Sequence, residues 1–178
     1  GTVSINSGSL TLDLGNTLGS TSLNVDGDAT VKTVSALSLQ GSVAGQLSAT
    51  ATAGGISDAG TLTVTGASTF DAGTAALTLD DATSSYGDLV ITASDAIIKE
   101  ADSVTATSIQ ATNLQVSANS GISISAEGVE NFAAETESGD IAFVNVGGYS
   151  VESFADYGGV EGVSFTDDSA TGTISLIA

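Results

Sequence analysis

The sequence predicts an all-β chain wound as a β-solenoid, that is, a parallel β-helix whose coils stack along one axis. Three observations carry this reading. Short stretches alternate strictly between apolar and polar residues, glycines bound them, and the same phrase returns at nearly constant steps. The clearest copy is Gly60-Thr61-Leu62-Thr63-Val64-Thr65-Gly66. Leu62 and Val64 point one way, Thr61, Thr63 and Thr65 the other, which describes a half-buried strand with a turn at each end.

The phrase recurs as Ser9-Leu10-Thr11-Leu12, Ala36-Leu37-Ser38-Leu39, Asp88-Leu89-Val90-Ile91, Asn113-Leu114-Gln115-Val116, Asp140-Ile141-Ala142-Phe143 and Thr173-Ile174-Ser175-Leu176. The leading apolar residues stand at 10, 37, 62, 89, 114, 141 and 174, giving steps of 27, 25, 27, 25, 27 and 33. Steps of this size mark a repeat architecture. Read as one coil each, they predict about 25–27 residues per coil, with an insertion in the last. Weaker copies at Leu23, Leu77 and Ile122 place at least two strands in each period. Leu10, Leu37, Leu62, Leu89, Leu114, Ile141 and Ile174 would then form one inward ladder, with coils about 4.8 Å apart.

Taken in order, residues 1–36 hold an opening coil with strands at Thr2–Ile5, Leu10–Leu14, Leu23–Val25 and Thr30–Val34, turning at Asp26-Gly27-Asp28. Aspartate bonds local backbone there and glycine accepts positive φ. A small-residue coil covers 37–60. Residues 61–88 add strands near Leu62 and Leu77, with turns at Asp80-Asp81 and Tyr86-Gly87-Asp88. Leu89–Thr92, Ala96–Ile98 and Val104–Ile109 follow. Ile97-Ile98-Lys99-Glu100 has the composition to start a helix, but Ser94-Asp95 and Asp102-Ser103 cut it short. No linker or domain boundary is legible, so 1–178 reads as one continuous solenoid. The last third, about 127–178, is less regular and carries the insertion. It holds six of the eight aromatics and six of the seven glutamates, which suits either a wider interior or an aromatic contact surface.

Composition fits this architecture. The apolar 41% is mostly Ala, Val, Leu and Ile, and aromatics make up 4%, as suits many thin layers rather than one large core. Proline, which would remove ladder hydrogen bonds, is absent. Fourteen Asp and seven Glu face only Lys32 and Lys99, giving a net charge of −19. Such a field repels nucleic acid and anionic lipid and keeps a hydrated surface. No transmembrane run and no signal peptide is visible, so membrane insertion is not expected. The chain opens on Gly1, which suggests a processed chain or a piece of a longer one.

The stretch from Gly55 to Gly73, GISDAGTLTVTGASTFDAG, resembles the repeat text of giant bacterial surface proteins, the filamentous-haemagglutinin-type adhesins and related β-strand-repeat exoproteins. Leu89–Ser94, Leu114–Gly121, Gly139–Ile141 and Val160–Ser164 continue the likeness, which covers roughly residues 36–178. The resemblance implies a right-handed parallel β-helix, export, and a place at the bacterial cell surface as stalk, filament or adhesin. The two-partner secretion domain such adhesins carry is not visible here.

An enzyme is not expected. Lyases and hydrolases on parallel β-helices use a strong base or paired carboxylates, commonly with His, Arg or Lys. This chain has no His or Arg, and its lysines are remote in sequence from the adjacent acid pairs Asp80-Asp81 and Asp167-Asp168. A serine nucleophile lacks a His partner, although a Ser–Lys pair is formally open. No cofactor is expected. Calcium is the one ion the acids suit, with Asp26, Asp28, Asp80, Asp81, Asp167 and Asp168 as candidate ligands, although hydrated turn carboxylates explain them better. The expected function is a structural solenoid subunit or segment assembling end to end. Its partner would be a further copy of itself, head to tail, or neighbouring repeats of the same chain. Both termini are written as bare strand, Gly1-Thr2-Val3-Ser4-Ile5 and Gly172-Thr173-Ile174-Ser175-Leu176, which leaves their edges open. The alternative is an adhesin module binding host or matrix glycan, or protein, through the acidic last third.

Overall fold

A computed structural model describes residues 3–13, 15, 17–154, 160–167, 169 and 171–178. Seventeen strands follow one another, with no helix among the described residues. They are β1 (Val3–Ser7), β2 (Leu10–Asp13), β3 (Ser20–Val25), β4 (Ala29–Thr33), β5 (Leu37–Val43), β6 (Leu47–Ala51), β7 (Ile56–Val64), β8 (Ser68–Asp71) and β9 (Leu77–Leu79). Then come β10 (Leu89–Thr92), β11 (Asp95–Glu100), β12 (Val104–Gln110), β13 (Asn113–Glu127), β14 (Asn131–Val146), β15 (Ser150–Val151), β16 (Val163–Phe165) and β17 (Ile174–Ile177). Ile97–Glu100 therefore lies in a strand.

Every pairing between these strands is parallel, and the pairings sort into two stacks. One runs β2, β4, β6, β8, β10, β12, then the later halves of β13 and β14, then β17. The other runs β1, β3, β5, β7, β9, β11, then the first halves of β13 and β14, then β15 and β16. The chain is thus an all-β solenoid of about eight turns.

The register corrects the length of the coil. Val3 pairs with Thr21, 18 residues on; Leu10 with Ala29, 19 on; Ser68 with Leu89, 21 on; and Leu89 with Ala106, 17 on. A regular coil therefore holds 17–21 residues, not 25–27. The expected ladder dissolves with it. Leu10 and Leu89 belong to one stack, Leu37, Leu62 and Leu114 to the other, and of the seven only Ile141 and Ile174 are direct partners. Both stacks open with the same alternating text, so most steps near 26 jump from one stack to the other, while that from Leu37 to Leu62 changes column within one stack. The true columns mix sizes. One reads Leu12, Val31, Ala49, Phe70, Ile91, Ile109, Ala126. Another reads Leu37, Ile56, Leu77, Ala96, Leu114, Phe132. Leu37, Leu62, Leu89, Leu114 and Ile141 do point inward and are fully buried.

Two more features frame the site. The turn into the β2-type strands carries glycine after glycine. A Cβ on Gly45 would meet the Gly27 carbonyl at 2.6–2.7 Å, and one on Gly66 the Gly45 oxygen at 2.7 Å. Backbone runs against backbone there, and any side chain would force the coils apart. The regular winding ends after Val146. β15 pairs with Asn131 and Phe132, and the chain then makes an antiparallel excursion bridged at Ser153–Glu161. It returns as β16 on Ala134–Thr136, so the step from Ile141 to Ile174 spans 33 residues.

Candidate functional site

The solenoid breaks its own rule in the coil between Leu77 and Thr92. In the coil below, β7 continues through Leu62 and Val64. Here the chain leaves the ladder after Leu79 and keeps a single bridge, Thr63 to Ser85. Backbone N–H groups lose their strand partners, and buried donors without partners are costly. Side chains take over. Ser84 Oγ accepts the Leu62 N–H at 2.9 Å, and Glu100 Oε2 accepts the Tyr86 N–H at 3.1 Å. Asp58 accepts the amides of Asp80 and Asp81, each at 3.1 Å, and the Tyr86 hydroxyl at 3.2 Å. Ser85 Oγ donates to Asp102 at 2.9 Å.

Glu100 is the unexpected member. Ala96, Ile98 and Glu100 alternate inward along β11, so the acid stands in the core column above which Ala118 sits, and it is only 2% exposed. Burial pushes its carboxyl up to about 9; the Tyr86 amide pulls the other way, and the Asp102 charge adds to the rise. Its second oxygen, Oε1, is buried without a donor. Tyr86 is buried against the Phe70 ring, edge-on at 5.8 Å, and burial followed by the Asp58 charge moves its hydroxyl well above the usual phenol range. Burial likewise raises Asp58, against the hydrogen bonds it accepts. The strand alternation Ala96, Ile98, Glu100 was the sequence signal for this acid, once 95–100 is read as a strand.

Three of the candidate calcium ligands, Asp28, Asp81 and Asp167, accept backbone amides at turns. Asp28 accepts the Gln46 N–H at 2.9 Å, closing the glycine turn, while Asp26 is exposed beside it. Asp81 caps its own turn through the Thr83 amide and hydroxyl, which hold its carboxyl below the ordinary range. Asp80 and Asp81 approach Asp58 through their amides. Asp167 accepts the Ser169 hydroxyl and amide at 2.7 and 2.8 Å, which lowers its pKa, and Asp168 lies outside the described residues. Among the described residues, no three acidic side chains are grouped to hold a metal ion. Lys32 lies 4.0 Å from Asp13, both exposed.

Four aromatics of the last third pack in or against the interior. Phe132 and Phe143 are fully buried and stacked at 3.9 Å between ring centres, and Tyr149 meets Phe143 edge-on at 4.9 Å. Phe165 packs partly buried against the same core; Tyr157 lies outside the described residues. An open groove of about 430 Å³ crosses the coils of β12, β13 and β14, bordered by Ser103, Thr105, Ser120, Ser123 and Asp140. Asp140 in turn accepts the Thr173 amide and hydroxyl at 2.8 and 2.9 Å, which holds its carboxyl low.

Residues 26–93, from the Asp26 turn through β10, match a family model described as repeats of unknown function (DUF5649). The match covers less than half of the chain and agrees with a β-repeat protein. Neither a curated protein nor a solved structure matches the chain.

Proposed function

We propose that this chain is a structural, non-catalytic solenoid of a bacterial surface filament or stalk, outside the cell, extended end to end by further coils of the same kind. The reading draws on the likeness to β-strand-repeat exoproteins such as the filamentous-haemagglutinin-type adhesins. The observation that carries it is the last rung. Ile174 and Leu176 stand in register over the buried Ile141 and Phe143, yet remain 43% and 36% exposed. The β17 edge thus presents apolar side chains and strand backbone in the geometry that another rung would occupy. Ile5, Leu10 and Leu12 are only partly buried at the opposite end. A head-to-tail contact that does not close on itself makes a filament.

Light scattering against concentration, with electron microscopy, tests this on the 178-residue chain. The expected result is particles that lengthen with concentration, and their loss in Leu176→Lys with the circular dichroism spectrum unchanged. A single-chain mass at every concentration would sink non-covalent assembly. Mass spectrometry of native material then tells a 17.3 kDa subunit from a covalent array. A second reading, an adhesin module binding glycan, draws on the hydroxyl-bordered groove over β12–β14 rather than on the last third alone. Glycan binding abolished by Ser123→Trp would favour it.

A further inference from the structure

The coil that leaves the ladder lies directly beneath the strand that buries an acid, and the two facts belong together. Glu100 replaces a strand as partner of the Tyr86 N–H, from a position closed to water. The charged groups around it share one sign. Asp102 follows it on the same chain and takes the Ser85 hydroxyl. From the coil below, Tyr86 gives it an N–H and carries its hydroxyl to Asp58, one coil further down, with Asp80 beside Asp58. From the coil above, its register partner is Ala118, which carries no charge. Lys99 lies on the opposite, partly exposed side of the strand. An ionised Glu100 would sit among these acids with Oε1 lacking a donor. A protonated one donates to the Asp102 carboxylate and keeps Oε2 for the Tyr86 amide.

We propose that Glu100, Tyr86, Asp58 and Asp102 form a proton-operated lock between adjacent coils, closed while the Glu100 carboxyl holds its proton and loosened when that proton leaves. Burial pushes the folded carboxyl up to about 9, against an ordinary value of 4.5. A carboxyl raised on folding makes the folded state bind the extra proton, so its contribution is greatest below about 4.5. It falls as pH rises from there toward about 9 and is flat beyond. The slope of one proton is about tenfold in the unfolding constant per pH unit. The solenoid is therefore tightened by mild acid.

The test compares the chain with Glu100→Gln, which keeps an acceptor for Tyr86 and cannot ionise. Denaturant unfolding from pH 5 to 9 should show the ratio of the two unfolding constants widening in favour of the variant by about tenfold per pH unit. Asp102→Asn should move the alkaline break of the Glu100 chain to lower pH, because the neighbouring charge is gone. Parallel curves for parent and Glu100→Gln would overturn the proposal. If Glu100→Gln does not fold, carboxyl-carbon NMR of the parent decides. Of its seven glutamates, one should titrate near 9, and all seven titrating below 6 would overturn the lock.

Discussion

The coils of β13 and β14 and the coil between Leu77 and Thr92 are built from the same kind of text and solve the backbone differently. From Asn113–Asn131 to Glu127–Val146 the first pair stays in register over almost its whole length, with one shift near Ser120. Asn131 even donates to Asn113 at 2.7 Å, and Asn113 to Asp95, an amide ladder along the axis. Its inward positions are Leu114, Val116, Ile122 and Ile124 against Phe132, Ala134, Ile141 and Phe143. The other coil drops its ladder from Asp80 to Tyr86, save the bridge at Ser85, and admits Ser84 and Tyr86 to the interior, with Glu100 of the next coil beside them. Where main chain satisfies main chain, the core is largely apolar, with buried Thr136 and Asn145 accepting the Gly121 and Val129 amides at the breaks in the ladder. Where it does not, polar side chains enter to meet the orphaned amides, and the interior acquires groups that titrate.

The largest expected effect tests whether the open coil still has a dry core. Leu62 is fully buried beneath it, and its amide is held by Ser84. Leu62→Asp places an unpaired charge in that space and should destabilise by roughly 5 kcal/mol or prevent folding. Thr63→Asp, one residue on and exposed, should cost less than about 1 kcal/mol. Thermal unfolding of the two variants reads the difference. Equal melting would mean that the inward face is assigned to the wrong residues.

A smaller effect is expected at the glycine corner that runs from Gly8 to Gly87. A Cβ on Gly87 would fall on the Gly66 oxygen, with the carbonyl carbon 2.6 Å away. Main chain cannot swing aside as a side chain can, so Gly87→Ala should cost about 2–3 kcal/mol. Gly8 occupies the equivalent corner of the first coil and has nothing within 4 Å of its Cβ position. Gly8→Ala should stay within about 0.5 kcal/mol, as seen in denaturant midpoints. A Gly87→Ala variant as stable as the parent would mean that the corner has room the fold denies it.

That corner also explains how much was legible. The alternation at Leu62, Leu89 and Leu114 gave the fold class and the inward faces correctly, because period two depends on the strand alone. The coil length came out about a third too long because the search followed leucine. Leu10 stacks on Ala29 and Leu89 on Ser68 and Ala106, so apolar identity does not repeat down a column. Glycine does. Gly8, Gly27, Gly45, Gly66 and Gly87 are 18–21 residues apart, the true step, because backbone contact tolerates no substitute. The acid cluster was hidden for another reason. Asp58, Asp80, Glu100 and Asp102 come from three successive coils, and only the correct step brings them together. The paired acids Asp80-Asp81 and Asp167-Asp168 drew attention by adjacency in sequence, whereas the Asp81 and Asp167 carboxylates each serve their own turn.

The smallest effect comes from two serines that are equally buried and differ only in which coil holds them. Ser84, in the open coil, accepts the Leu62 N–H at 2.9 Å. Ser68, in a closed one, sits between Leu47 and Leu89 in its column, and its hydroxyl has no partner. Removing a hydroxyl that answers a buried amide strands the amide, so Ser84→Ala should cost about 1–2 kcal/mol. Removing one that answers nothing strands no group, and it relieves the burial of a lone polar atom. Ser68→Ala should therefore lie within about 0.5 kcal/mol of the parent, on the stabilising side. The small cavity each change leaves is the same in kind, so the difference between the two variants isolates the hydrogen bond. Matched urea titrations of both variants measure it. If Ser68→Ala proves as costly as Ser84→Ala, then the closed coil also leans on its interior hydroxyls, and the division between the two kinds of coil fails.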